Sequence, residues 1–311
     1  MLPREVSPAD IARVAVACEE AGFDELWVVE DCFYTGGLIC AALALSATSQ
    51  ITVGIGILPA VVRNPAFTAM EAATLAGAFE QRVHLGIGHG VAAWMRQIGA
   101  QPASWLRSLE ETTEAVRDLL HGETVSVSGA YVRLDQVRLE FVPEHPPLLS
   151  LGVRGPKSVT LAGRVADGVI LAEPTPVEYI SAARGQLLST RASAAPAPRV
   201  TAYSWAGLGQ TSEQKLRENV TNVLREGASA AHLAALDDAS RAALARVGNG
   251  ETDLSDDLLH TLALTGGAAN IRAGVRARHV AGADSVVLVP TQAPTEPLLT
   301  EIAALGQVLT S

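Results

Sequence analysis

Four short stretches of the sequence contain glycine, polar side chains or both, and each follows a run of aliphatic residues. They are Glu30-Asp31-Cys32, Gly56-Ile57-Leu58-Pro59, Gly88-His89-Gly90 and Arg154-Gly155-Pro156-Lys157-Ser158. Carboxylates and an imidazole can exchange protons with a bound molecule near neutral pH. Glycines let a planar ligand lie against the backbone, since they have no Cβ to block its approach. The combination suits proton transfer beside a bound flat molecule.

The best candidates for acid–base chemistry are His89 and Asp31, with Glu30 in reserve. His89 has a reference pKa close to neutral, which suits a group that both gains and loses a proton. Asp31 directly follows an apolar run, a position more often functional than a helix face. A role for Asp31 as a helix cap or loop acceptor remains open. Cys32 is interpreted as a small packed residue rather than a nucleophile.

The Arg154–Ser158 stretch predicts a site for an anion such as a phosphate. It enters a predicted helix, where free N–H groups and the helix dipole favour negative charge, and Arg154 and Lys157 strengthen the field. An ordinary helix with solvated basic side chains would explain the same residues. The loop from Gly86 to Gly90 lacks the last glycine of a dinucleotide-binding pattern, because residue 91 is valine. Tight turns are an equally open explanation of its glycines.

Composition excludes several classes of function. The 311 residues are 48% hydrophobic and carry a net charge of −10, which disfavours binding to nucleic acid or to an anionic membrane. The histidines show no metal-ligand spacing, so no metal site is predicted. An odd count of three cysteines, no apparent signal peptide and no apolar run near 20 residues together predict a cytoplasmic protein.

Strands and helices alternate along most of the chain, which predicts an α/β fold with a parallel sheet. A hairpin over Val125–Leu134 interrupts the alternation. An acidic helical segment at about 228–264 is interpreted as an insertion or lid between the last two barrel strands of a single domain spanning 1–311. If the strands close a barrel, Glu30-Asp31-Cys32, Gly56-Ile57-Leu58-Pro59, Gly88-His89-Gly90 and Gly152–Ser158 meet at one mouth. Seven strands are predicted at Leu26–Val29, Ile51–Ile55, Val83–Ile87, Leu148–Leu151, Val169–Leu171, Val200–Trp205 and Ser285–Val289.

Several of these segments resemble the luciferase-like oxidoreductases of the bacterial luciferase superfamily, especially their coenzyme F420-dependent branch. The resembling segments are Gly22–Val28 with Asp31, the helix opened by Asn64-Pro65, Arg82–Gly90 and Gly155–Gly168. The resemblance runs to about Leu171 and returns weakly before the last strand. It implies a (β/α)8 TIM barrel with insertions, assembled as a homodimer.

The same resemblance implies a deazaflavin, coenzyme F420, bound in the barrel mouth. Its ring would be backed by a bulge with a non-prolyl cis peptide at Gly56-Ile57 and contacted by Asp31. Hydride would pass to or from a small organic substrate, with the reductase direction favoured. The cofactor-binding candidates are Asp31, Gly56, Ile57, Gly88, His89, Gly90, Arg154, Gly155 and Lys157.

Three departures from the family pattern bear on function. Cys32 replaces the usual histidine, and Val91 replaces the glutamate of the sugar-phosphate dehydrogenases in this branch, which argues against sugar-phosphate oxidation. Few residues precede the first helix, so the first barrel strand is expected to be shortened or absent. Two alternatives remain: an FMN-dependent monooxygenase, and a barrel that binds a flavin or a partner without catalysis. The Gly-Pro-Lys sequence at 155–157 favours the deazaflavin.

Overall fold

The computed structural model describes residues 1–193, 195–226 and 230–310. Apolar runs form the strands, as expected for a sheet buried on both faces. The strands are β1 (Glu25–Val28), β2 (Thr52–Pro59), β3 (Val83–Gly88), β4 (Val125–Ser128), β5 (Arg133–Val137), β6 (Leu148–Gly152), β7 (Gly168–Leu171), β8 (Arg199–Leu208), β9 (Leu264–Gly266) and β10 (Ser285–Val289).

Helices follow most of the strands and cover the outside of the sheet. A 3-10 turn at Pro8–Asp10 leads into the first of them. The helices are α1 (Ile11–Glu20), α2 (Gly37–Ala47), α3 (Pro65–Ala78), α4 (Ala92–Gln97), α5 (Trp105–Leu120), α6 (Pro156–Val165), α7 (Val177–Thr190), α8 (Gly209–Arg225), α9 (Ala230–Leu233), α10 (Asp238–Gly248), α11 (Asp256–Leu262), α12 (Ala268–Val280) and α13 (Thr295–Thr310).

The main sheet is a parallel barrel wall in the order β1-β2-β3-β6-β7-β8-β10, with β9 added beside β8. The predicted strands all occur, and the hairpin is the antiparallel pair β4-β5. The barrel fold is therefore confirmed. The sequence missed β9, because three residues ending in glycine give no periodic signal. No helix among the described residues is long and apolar enough to cross a membrane.

The barrel closes between β10 and β1 through the first two residues rather than through a strand. The Met1 nitrogen donates to the Leu288 carbonyl oxygen at 2.7 Å, and the Leu2 amide donates to the Trp27 carbonyl oxygen at 2.8 Å. A cavity of about 500 Å³ lies along the same seam and is lined by both flanking strands, including Leu26 and Val286.

Side chains alternate along each strand between the helix layer and the barrel interior. Leu26, Val53 and Leu85 belong to the large core under the helices, whereas Trp27 belongs to a second cluster. A Cβ added to Gly54 would overlap the indole of Trp27. The glycine on β2 thus makes room for the aromatic ring on β1.

Polar groups fill the lower part of the barrel. The Nε2 atom of His84 lies 2.8 Å from the Ser150 hydroxyl, and its ring is 4.8 Å from that of Trp27. Glu25 accepts hydrogen bonds from the Trp27 indole nitrogen at 2.7 Å and the Ser285 hydroxyl at 2.9 Å, and it pairs with Arg199. Burial lowers the pKa of His84 to about 3. His84 is therefore uncharged in the folded protein at neutral pH.

The segment predicted as a helical insertion contains α9, α10 and α11, and it ends at the start of β9 rather than before a barrel strand. Residues 228 and 229 of that segment lie outside the described residues. Its assignment as an insertion in one domain of residues 1–311 stays a prediction.

The folded protein should lose stability in acid because of His84. Below pH about 6.5 the unfolded chain binds a proton at this residue that the folded chain does not bind. The free energy of unfolding should therefore fall by up to about 1.4 kcal/mol per pH unit between pH 6 and pH 4 for this group. Urea unfolding across that range measures the slope.

The variant His84→Gln replaces the imidazole with an amide that can still form a hydrogen bond with Ser150 but binds no proton in this range. Its slope should be flatter than that of the wild type, although the polar swap lowers stability at pH 7. Equal slopes in the wild type and His84→Gln would contradict the assignment.

Candidate active site

The carboxyl ends of β1, β2, β3, β6 and β7 surround a pocket of about 420 Å³. Most of the predicted site residues line it: Glu30, Asp31, Gly56, Ile57, His89, Gly90, Arg154 and Gly155. Gly88 and Lys157 are not in its lining. The remaining lining residues are Pro59, Val91, Trp94, Gly152, Val153, Ser158, Ile170, Ala172 and Tyr203. The glycine-containing stretches therefore meet at one mouth, as the barrel hypothesis requires.

Strand β2 bulges where it borders the pocket. The Gly56-Ile57 peptide bond is cis, as the family resemblance implied, and the pairing with β3 shifts register between Ile55 and Leu58. A Cβ on Gly152 would overlap the Ile57 side chain, and one on Gly88 would come within 2.7 Å of the Gly152 carbonyl oxygen. The absence of a side chain at Gly88 therefore lets Ile57 and strand β6 pack closely against β3. These neighbours cover Gly88, which is why it does not line the pocket.

The two carboxylates at the end of β1 are both engaged by arginines. Glu30 accepts from Arg63 Nη2 at 2.8 Å and from the Gly37 amide at 2.8 Å, with its side chain 10% exposed. Asp31 lies on the rim, where its Oδ2 atom accepts from Arg4 Nη1 at 3.0 Å. Glu30 thereby holds the start of α2. Asp31 is the more accessible of the two to a ligand.

His89 spans the pocket from β3 to α6. Its Nε2 atom lies 3.1 Å from the Ser158 hydroxyl, and its ring packs edge-on to Trp105 at 6.2 Å between centroids. Burial lowers the pKa of His89, and a hydrogen bond with the Trp105 backbone opposes the shift. His89 is therefore an uncharged imidazole at pH 7.

The side of the pocket opposite the carboxylates is basic. Arg154 is exposed, and its guanidinium makes no hydrogen bond or ion pair with the described residues, whereas its carbonyl oxygen accepts from the Tyr179 hydroxyl at 2.9 Å. Helix α6 begins after Gly155, and no side chain caps it. Lys157 is exposed in the first turn of that helix. This end of the pocket is suited to an anion.

Sequence reasoning missed the apolar and aromatic walls. Val91 and Trp94 line the pocket from the start of α4, a six-residue helix too short to show a clear period. Tyr203 lines it from the middle of β8. The alternation along β8 places residues 199, 201, 203 and 205 on one face, which was the available signal.

The sequence matches the family described as luciferase-like monooxygenase over residues 1–285. The chain belongs to this family. The resemblance stated from the sequence is thereby confirmed. The barrel of this luciferase-like chain has its β2 bulge at Gly56-Ile57.

Two relatives of this luciferase-like chain are oxidoreductases by name. A 5,10-methylenetetrahydromethanopterin reductase of Methanolobus tindarius is 30% identical over 181 residues, covering 56% of this chain and 55% of that protein. An F420-dependent glucose-6-phosphate dehydrogenase of Nakamurella multipartita is 32% identical over 178 residues, covering 53% and 52%. This chain thus spans about half the length of the curated relatives it matches.

The structure of coenzyme F420 dependent tetrahydromethanopterin reductase from Methanopyrus kandleri superimposes on this chain with a TM-score of 0.80. The match covers 100% of this chain and 96% of the other at 19% identity. At this identity the likeness establishes the fold.

The burial of His89 leads to a titration experiment. We expect the imidazole signals of His89 in proton–carbon NMR spectra to titrate with a midpoint below the reference value of about 6.5. Burial causes the shift, since it penalises the charged ring. His89→Asn assigns the signals by removing them. A midpoint above that of a model histidine would show that a negative charge, rather than burial, governs the ring.

Proposed function

We propose that this protein is a coenzyme F420-dependent oxidoreductase that transfers a hydride to or from a small organic substrate, with the reductase direction favoured. The observation that carries the proposal is a single pocket with a glycine-lined bulge on one side and an uncapped helix start with a free arginine on the other. The names of the two relatives, both of them oxidoreductases, support the same class of reaction.

The residues present fit a flat ring with an anionic tail. Gly56 and Gly152 bring bare backbone to the pocket wall, and Gly90, at φ +73°, adds a position where a side chain would be strained. Arg154, Gly155 and Lys157 would hold the tail phosphate. The deazaflavin, when bound, supplies the carbon that accepts or donates the hydride.

The protein's own groups orient the reactants and handle the proton. Gly56 and Ile57 would back the ring, while Val91 and Trp94 would exclude water from it. His89, uncharged and anchored at Nε2 by Ser158, is the proposed proton acceptor or donor, with Asp31 at the rim as a second group. Glu30 has a supporting role, because Arg63 and the Gly37 amide occupy its oxygens.

Val91 also bears on the substrate class. Val91 places an aliphatic side chain at the position where the sugar-phosphate dehydrogenases of the F420 branch are expected to carry a glutamate. Together with Trp94 it makes that wall of the pocket apolar. A neutral substrate with an activated C=C, C=N or C=O bond suits such a wall better than a sugar phosphate.

The second candidate is an FMN-dependent monooxygenase, which the description of the matching family favours. Parallel titrations with F420 and FMN separate the two proposals, since oxygen consumption is expected only with reduced FMN. Binding of a flavin without turnover across enones, imines and alcohols would support a non-catalytic barrel.

We also propose a cytoplasmic homodimer formed through the outer faces of α2 and α3. Ile39 and Leu43 on α2, with Phe67 and Met70 on α3, are exposed apolar side chains on two helices that contact each other. Exposed apolar patches of this kind mark association surfaces. A second copy presenting the same patch would cover it symmetrically.

Removal of the Arg154 charge should weaken F420 binding. A charge-assisted hydrogen bond to a phosphate contributes roughly 1.5–3 kcal/mol, so Arg154→Ala should raise the Kd by about 10- to 100-fold. Absorbance titration with F420 measures the effect, which should shrink at high salt. Arg133→Ala removes an exposed arginine from the distant hairpin and serves as the matched control. Wild-type affinity in Arg154→Ala would refute the assignment of the tail site.

The proposed dimer can be tested with a single charge. Ile39→Asp places a carboxylate in the α2–α3 patch and should convert the dimer to a monomer at micromolar concentration. Light scattering coupled to gel filtration gives the mass. Val280→Asp makes the same change at an exposed position on α12 and should leave the mass unchanged. A monomeric wild type would contradict the interface.

A further inference from the structure

Tyr203 is a large polar side chain that lines the pocket. It lies in the middle of β8, is 3% exposed, and packs edge-on to Trp27 at 5.8 Å between ring centroids. A Cβ added to Gly56 would overlap its hydroxyl oxygen. The hydroxyl therefore lies directly over the bulge of β2, on the pocket side of the barrel.

The hydroxyl of Tyr203 forms no hydrogen bond with any of the residues that the structure describes. Buried polar groups are nearly always paired, since an unpaired one loses its hydrogen bonds to water without replacement. Phenylalanine would fill the same space beside Trp27 and Ile170 without that loss. The free apoprotein thus gains nothing from this oxygen atom.

The surroundings of Tyr203 keep its proton in place. Burial raises the pKa of the phenol well above its usual value, and the carboxylates of Glu173 and Glu25 raise it further. The hydroxyl is therefore a hydrogen-bond donor, and not a base, across the pH range of ordinary enzymes.

We infer that Tyr203 is a ligand-binding residue whose hydroxyl donates a hydrogen bond to an acceptor atom of the heterocycle held against Gly56. The inference rests on the proposed function, because that function supplies the heterocycle. Deazaflavin and flavin rings both carry carbonyl oxygens and ring nitrogens that can accept such a bond. The contact would hold the ring against the bulge and give the buried Tyr203 hydroxyl a partner that the described residues do not supply.

Tyr203→Phe tests the inference in the full-length protein through two measurements that do not depend on turnover. F420 titration followed by absorbance should show a Kd raised about tenfold and a displaced band of the bound ring, since one hydrogen bond is lost. Urea unfolding of the apoprotein should give the same midpoint as the wild type or a higher one, because the variant buries no unpaired hydroxyl.

Tyr131→Phe is the matched control. Its hydroxyl accepts from the Ser104 amide at 2.5 Å, in the hairpin region and outside the pocket. This variant should keep the wild-type Kd and band position, and its unfolding midpoint should be equal to or lower than that of the wild type. Loss of the Tyr203 hydroxyl is thus expected to weaken binding without lowering stability, whereas loss of the Tyr131 hydroxyl should leave binding unchanged without raising stability.

Two results would overturn the role of Tyr203: an unchanged Kd and band in Tyr203→Phe, or an unfolding midpoint below that of the wild type, which would mean that the hydroxyl serves the fold. Failure of the wild type to bind F420 would contradict the proposed function separately. The same proteins are then titrated with FMN. An FMN affinity unaffected by Tyr203→Phe, or no uptake of either ring by the wild type, also overturns the inference.

Discussion

The structure depends on how a narrow barrel interior is divided among inward-facing side chains. Along a parallel strand every second residue points inward, so large groups on one strand require small ones opposite. In this chain Trp27 and Tyr203 supply the large groups, and Gly54 and Gly56 supply the space. Because Gly56 and Tyr203 both line the pocket, the same division shapes part of its wall.

Electrostatics at the mouth follow from the pairing of charges. The chain carries a net charge of −10, yet the strand-end carboxylates of Glu30 and Asp31 are balanced by Arg63 and Arg4. Arg154 makes no such ion pair with the described residues, so its charge stays available on the α6 side of the pocket. Burial keeps His89 neutral, since no carboxylate among those residues pairs with it. An acidic protein can thus present a site suited to an anionic ligand.

The sequence predicted the parts of the fold that have strong local signals. Uninterrupted apolar runs located the barrel strands, and Asn64-Pro65 marked the start of α3, where the Asn64 side chain accepts from the Ala66 amide at 2.9 Å. The pocket residues at strand ends were predicted because parallel strands place them at one edge. Gly88 lies outside the pocket lining, because strand register places it between β2 and β6. Trp94 and Tyr203 were missed because their exposure to the pocket depends on packing between distant segments.

The amino-acid sequence by itself determined the order of strands and helices, the family and the group of glycines and charged residues at the strand ends, since these depend on local pattern and residue type. Only the tertiary structure decided which of those charges are neutralised, that Met1 and Leu2 bridge the seam, and that the Tyr203 hydroxyl is buried over Gly56. Each of these depends on atoms brought together from segments far apart in the chain, and no local pattern records such distances.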